Sequence, residues 1–279
     1  MLGPSCSGPC ATCWAAESSR KQESDAERSV RGDRWRALHR TICQDAAPED
    51  AMSPTSLEQL LSLTSPPVAI AFVDAAPAGV PHVAAVEPAS CGYWRRAAAG
   101  EVFYTVADDH KRCSVGAHTH NVTLSPAEKQ ELMGMVQTMV GLSYLKMEEV
   151  AQIPTRKTPL QVAVYAPLGR APVAPDVVLV RGNSRQLMLL AEASQSAGVA
   201  GAGPTMGRPT CAVLPEAINT ARTSASFGCI GNRVYTGAGD DEAYFAIPGA
   251  QLAAVEKQLA VIVRANQELE KFHRARLAL

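Results

Sequence analysis

Short apolar runs and helical periods alternate along most of the chain and predict most of its elements. "PVAIAFV" (67–73) is an unbroken apolar run of strand length, bounded by prolines and by the turn-rich "DAAPAG". That pattern predicts a buried strand. "EVFYTV" (101–106), "PLQVAVYAPL" (159–168), "DVVLVRG" (176–182), "NRVYTG" (232–237) and "EAYFAIPG" (242–249) also read as strands, rich in β-branched and aromatic residues. "CGYWRRAAAG" (91–100) predicts a short helix stopped by Gly100. "SPAEKQELMGMVQTMVGLSY" (125–144) has the clearest helix start: Ser125 caps, Pro126 takes the first helical position and Glu128 completes a capping box. Leu132, Met135, Val136, Met139 and Val140 then follow helical spacing, with the methionines as adaptable core packing. Further helices are predicted at 184–198, at 214–221 and at 250–273, the last with Leu252, Val255, Leu259, Val263 and Ala265 along one stripe. Strands and helices alternate loosely, which predicts an α/β fold, a mixed sheet with helices packed on it.

The two halves of this pattern echo each other. "PVAIAFV" and "QVAVYAP" can each be read as an opening strand. A cysteine, a short Ala-rich helix and a second cysteine just before a glycine follow in each half: Cys91 and Cys113 ("CSVG"), then Cys211 and Cys229 ("CIG"). The reading is a divergent internal duplication.

Composition changes near residue 51. Residues 1–51 carry Cys6, Cys10, Cys13 and Cys43 and a charged, Ser-rich run without apolar period, the signature of a solvated segment. "MSPTSLEQLLSL" from Met52 looks like an ordinary start, with Ser53 or Thr55 capping a helix. The expectation is an extension over 1–51 and a single domain over 52–279. Cys6, Cys10 and Cys13 match the C-x3-C-x2-C spacing of radical-SAM enzymes. No strand precedes them, and Thr12 stands where an aromatic is usual, so tail cysteines are the better reading.

The whole chain has 279 residues, of which 47% are hydrophobic but only 5% aromatic, so its core must be built from Ala, Val and Leu. Net charge is −1, which argues against a nucleic-acid partner. No apolar run has the length of a membrane span, and no secretory signal opens the chain. A cytoplasmic protein is expected, its cysteines reduced and free for metal or redox work. A homo-oligomer stays open.

Blocks along the body resemble a known family. "PVAIAF", "C…AAAGEVFYTV…C-x-x-G", "YAPL…PDVVLV…QLMLL" and "PTC…SFGCIGNR…DDEAYFAIPG" are similar, in order and spacing, to DUF169, a family of bacterial and archaeal proteins. The resemblance spans roughly residues 53–275 and implies one domain beginning near residue 53. It implies no substrate, so function has to come from side chains.

Cys91, Cys113, Cys211 and Cys229 are the leading candidates. Four thiolates complete an iron–sulfur or a zinc site. No C-x2-C pair occurs among them, so only folding could assemble such a site. Glycines in "SFGCIGNR" allow close approach to an inorganic core and offer amides to its sulfides. The competing reading is plain packing, since free cysteine behaves as a small buried hydrophobe. Zinc shared by Cys113 with His118 and His120 is an alternative; that H-x-H would put both rings on one face of a strand. The bland reading of the pair is two exposed loop histidines. Heme is weaker still, for want of a C-x-x-C-H motif. Gly203, Gly207, Arg208, Gly231 and Arg233 form a second candidate set, a pocket for a small anionic ligand gripped by forked hydrogen bonds. Arg181, the acidic turn Asp240–Glu242 and the ring pair Tyr93 and Trp94 complete the candidates. The functional expectation is a cysteine-ligated iron–sulfur or soft-metal protein serving electron transfer or redox-linked chemistry, with a small molecule or a redox protein as partner. The alternative is a non-catalytic binding module with structural cysteines.

Overall fold

The computed structural model of the chain describes residues 56–84, 87–201, 204–205 and 209–277. The readings made for 1–51, and for Gly203, Gly207 and Arg208, lie outside these residues. Seven strands, β1 (Val68–Val73), β2 (Phe103–Val106), β3 (Val162–Pro167), β4 (Val177–Asn183), β5 (Pro204–Thr205), β6 (Ser224–Ser226) and β7 (Glu242–Pro248), form one sheet in the order β2-β3-β1-β4-β7-β6-β5. Pairing is antiparallel except between β5 and β6, so the sheet is mixed, as expected of the α/β reading.

The helices are α1 (Leu57–Leu61), α2 (Cys91–Ala98), α3 (Ser114–Thr119), α4 (Pro126–Gly141), α5 (Met147–Val150), α6 (Ser184–Ser196), α7 (Val213–Thr220), α8 (Ile230–Thr236) and α9 (Leu252–Leu277). Among the described residues none is long and apolar enough to cross a membrane. The α1 cap is Ser56, reciprocated by Gln59, downstream of the caps expected at Ser53 or Thr55. Ser125, Pro126 and Glu128 open α4 as anticipated. Its apolar face is narrower than the spacing implied: Val136 is buried, whereas Met135 is 40% exposed.

Alternation of side chains across the strands makes two cores. Val68, Ile70, Phe103, Tyr165, Val177, Leu179, Tyr244 and Ala246 point to one face, where they pack with Tyr93 and Trp94 of α2 and with Val213, Leu214 and Ala217 of α7. Val178, Val180, Phe245 and Ile247 point to the other, covered by α1, α6 and α9.

The duplication is visible in the register. β1 pairs with β4 at the sheet centre; outward on one side lie β3 and β2, on the other β7 and β6. Val68 pairs with Pro167, and Val177 pairs with Pro248. Phe103 stands opposite Tyr165, two before Pro167, just as Ser224 stands opposite Ala246, two before Pro248. Each proline then leads into a 3-10 turn. The matching order runs β1-α2-β2-α3-β3 and β4-α7-β6-α8-β7, with α4 and α5 added before β3 in the first half and α6 and β5 before α7 in the second. The equivalence of "PVAIAFV" with "QVAVYAP" is corrected by this: β1 matches β4, and β3 matches β7.

A second correction concerns 232–237, expected as a strand and found as helix α8. Its apolar pattern is inverted. Ile230 and Val234 are 75% and 70% exposed, while Asn232 and Thr236, four residues apart, are buried. A reading that sends apolar residues inward assigns such a segment wrongly. Likewise "GAHTHN" (116–121), expected as a polar loop or strand, falls on helix α3 and its C-cap His120.

Candidate metal centre

All four body cysteines stand at the start of a helix on the same side of the sheet. Cys91 is the first residue of α2. Cys113 is the N-cap of α3 and Cys229 that of α8. Cys211 lies in the 3-10 turn Thr210–Ala212 that runs into α7. A helix start leaves amide N–H groups without intrahelical partners and a partial positive charge, which favours anions placed there. The duplication makes Cys91 the counterpart of Cys211, and Cys113 that of Cys229.

Cys91 and Cys211 are buried; Cys113 and Cys229 are half-buried, and none of the four is in a disulfide. Cys91, Cys211 and Cys113 share one apolar cluster. Burial, reinforced by the nearby sulfurs of Cys113 and Cys229, pushes the Cys91 thiol up to about 12. The same causes, with Cys91 added, push Cys211 higher still. Cys91, Cys113 and Cys229 thus lie within electrostatic reach of Cys211, and Cys113 and Cys229 within reach of Cys91. The buried thiols of Cys91 and Cys211, raised in this way, ionise only when a cation joins them, and a coordinating thiol is deprotonated outright.

Short-range contacts hold this arrangement. The Gly116 amide donates to Cys113 Sγ at 3.2 Å. A Cβ on Gly116 would lie 2.2 Å from Ser90 Oγ, so the start of α3 abuts the start of α2 too closely for any side chain. In the second half the Cys229 amide donates to Thr210 Oγ1 at 2.6 Å. Gly228, at φ +89°, supplies the left-handed turn that swings Cys229 into place. Asn232 lies beside Cys91 and Tyr244. It is 1% exposed, and its amide is turned towards the Cys91 thiol and the Tyr244 hydroxyl without closing a hydrogen bond of ordinary geometry. Thr119 lies against Cys211. Sequence reasoning missed Asn232, Ser90 and Thr210; only their adjacency to cysteines hinted at them.

The other candidates have other occupations. Arg233, expected to grip an anion, donates instead to the backbone carbonyls of Gly239, of Phe227 at 2.6 Å and of Glu242 at 3.2 Å. These bonds close the loops on either side of α8. A Cβ on Gly231 would meet only the Tyr235 ring, at 3.7 Å, so this glycine is not placed for close approach. Arg181 pairs with Glu242, Nε to Oε1, at 3.3 Å. Tyr93 and Trp94 are core residues, 0% and 2% exposed. His118 and His120 sit on α3 and at its C-cap, two residues apart, which on a helix points them apart. His118 Nε2 lies 3.2 Å from Thr155 Oγ1. His120 is fully buried, its Nδ1 donating to the Gly116 carbonyl at 2.7 Å. Neither is an exposed loop histidine. Among the described residues no group of three His, Cys, Asp or Glu is arranged to hold a metal ion as it stands.

The cysteine blocks lie inside the region matched by a family model. Residues 56–258 match DUF169, described as uncharacterised ArCR. The chain belongs to the DUF169 family. No curated protein matches it, and no solved structure does. The DUF169 match spans all four helix starts and both halves of the duplication, and it ends within α9.

Proposed function

We propose that this DUF169 protein holds an iron–sulfur cluster on Cys91, Cys113, Cys211 and Cys229 and serves electron transfer or redox-linked chemistry. The observation that carries the reading is the set of four helix starts, each presenting a cysteine on the same side of the sheet. A cluster with four thiolates is anionic, and helix N-termini are where a fold stabilises an anion without spending a cationic side chain. The Gly116 amide already donates to a sulfur, and amide donors to cluster sulfur tune its potential. Zinc is the weaker assignment. A tetrahedral zinc draws four sulfurs to roughly 3.8 Å apart, from Zn–S bonds of about 2.3 Å. Among the described residues no such grouping is formed, and a multi-iron core seats its thiolates further apart. When bound, the cluster would supply one-electron chemistry. The chain would ligate it, exclude water on the sheet side, and leave the half-buried Cys113 and Cys229 facing a redox partner.

The alternative binding module has less support, because Arg233 is committed to carbonyls. Anaerobic purification followed by iron and acid-labile sulfide analysis tests the proposal. Brown protein with both elements, lost on Cys113→Ser or Cys229→Ser, is the expected result. Colourless protein lacking iron and sulfide after expression in iron-replete medium rules it out.

A further inference from the structure

A second polar cluster lies at the C-terminal end of α3, around its C-cap His120. The Arg156 guanidinium lies over the Phe72 ring, 3.9 Å from its centre. His120 meets the same ring edge-on at 5.8 Å. Tyr165 lies on β3 two residues from Ala163, the partner of Phe72, and so on the same face of the sheet. Three sets of atoms here are buried without closing a hydrogen bond of ordinary geometry: Arg156 Nε and Nη1, His120 Nε2, and Tyr165 OH, which lies beside the Thr105 side chain. Both His120 and Tyr165 feel the charge of Arg156. Among the described residues no carboxylate makes an ion pair with Arg156; the Asp176 carboxylate, bound to the Phe72 amide, acts on it from further off, and Arg156 Nη2 donates to Thr158 Oγ1 at 3.2 Å.

Buried polar atoms are costly unless something satisfies them, and these have complementary demands. Arg156 and the Tyr165 hydroxyl offer hydrogens. His120 Nδ1 gives its hydrogen to the Gly116 carbonyl, so in the neutral ring Nε2 is a lone pair that needs a hydrogen from outside. The guanidinium calls for a single negative charge.

We infer that Arg156, Tyr165 and His120 form a binding site for a small oxyanion that carries one O–H, of which hydrogen carbonate is the simplest. Its charged oxygens accept from Arg156 and Tyr165, and its hydroxyl donates to His120 Nε2. The site is independent of the iron–sulfur reading.

Calorimetric titration of anaerobically purified protein in mildly alkaline, carbon-dioxide-free buffer tests it, with hydrogen carbonate and nitrate as probes. Nitrate has the same charge and planar shape but no O–H. Saturable binding of hydrogen carbonate is expected, with nitrate at least about tenfold weaker, as for loss of one charge-assisted hydrogen bond. Tyr165→Phe should weaken hydrogen carbonate by about tenfold while raising the melting temperature of the free protein, because a buried unpaired hydroxyl is removed. Arg156→Met should abolish binding and leave iron content unchanged. Absence of saturable heat overturns the site, as does Tyr165→Phe binding like the parent. Nitrate binding as tightly as hydrogen carbonate overturns the assigned O–H donor.

Discussion

Thr210 Oγ1 accepts the amide hydrogen of Cys229 at 2.6 Å, which ties the two cysteine segments of the second half together across 19 residues of chain. In the first half Ser90 holds the matching place before Cys91. Its hydroxyl pairs with His110 Nδ1 at 2.9 Å and packs against Gly116. Thr210→Val keeps the shape and deletes the acceptor. It should cost about 1–3 kcal/mol, the penalty for a buried donor left unpaired, whereas Thr210→Ser should be close to neutral. Denaturant unfolding measures the stability, and iron retention on dialysis should fall in parallel for the valine variant alone.

The glycines near the cysteines divide sharply. Gly116→Ala forces a Cβ against Ser90. It should destabilise by about 1–3 kcal/mol as an overpacked site and reduce metal content. Gly231→Ala, on a helix and meeting only the Tyr235 ring, should instead gain about 0.5–1 kcal/mol from helix propensity. Equal effects of the two substitutions would contradict the close approach of α2 and α3.

Asn232 has a buried amide turned towards the Cys91 thiol without closing a hydrogen bond of ordinary geometry. If it serves sulfur in the loaded protein, Asn232→Leu removes a donor that favours the more anionic, reduced state. The expected result is a lower reduction potential at unchanged iron content, read by potentiometric titration. An unaltered potential assigns Asn232 to packing alone.

Burial also makes stability depend on pH. His120 is lowered from 6.5 to about 4 by desolvation, with the Gly116 carbonyl opposing and Arg156 assisting. His110, buried against it, is also lowered well below 6.5 for the same first cause. The unfolded histidines bind protons that the folded ones refuse. Their contribution is therefore complete above 6.5 and is lost as pH falls from 6.5 towards 4, by about 3 kcal/mol for His120. Denaturation midpoints measured across that interval should decline towards acid. The decline should flatten in His120→Gln, which does not titrate.

Much was readable along the chain because it is local. The runs at 68–73, 162–167 and 242–248 are strands since their residues suit a buried pleat. The Ser125–Glu128 capping box is a bargain between near neighbours. The four cysteines, and their grouping in two halves, could be named from composition and spacing. What only the tertiary structure decided lies between distant residues. Pairing of β1 with β4, and the matching registers of β3 and β7, lay the two halves about one centre, and this brings the four helix starts to one side. Helix α8 defied the pattern because it buries Asn232 and Thr236 and exposes Ile230 and Val234, a choice dictated by what lies against it. Arg233 looked free in the sequence; its carbonyl acceptors come from loops that meet only after folding. Hydrophobic period encodes which side of an element is greasy, but bringing Cys91 and Cys229, 138 positions apart, to the same side of the sheet depends on strand register, which no local window contains.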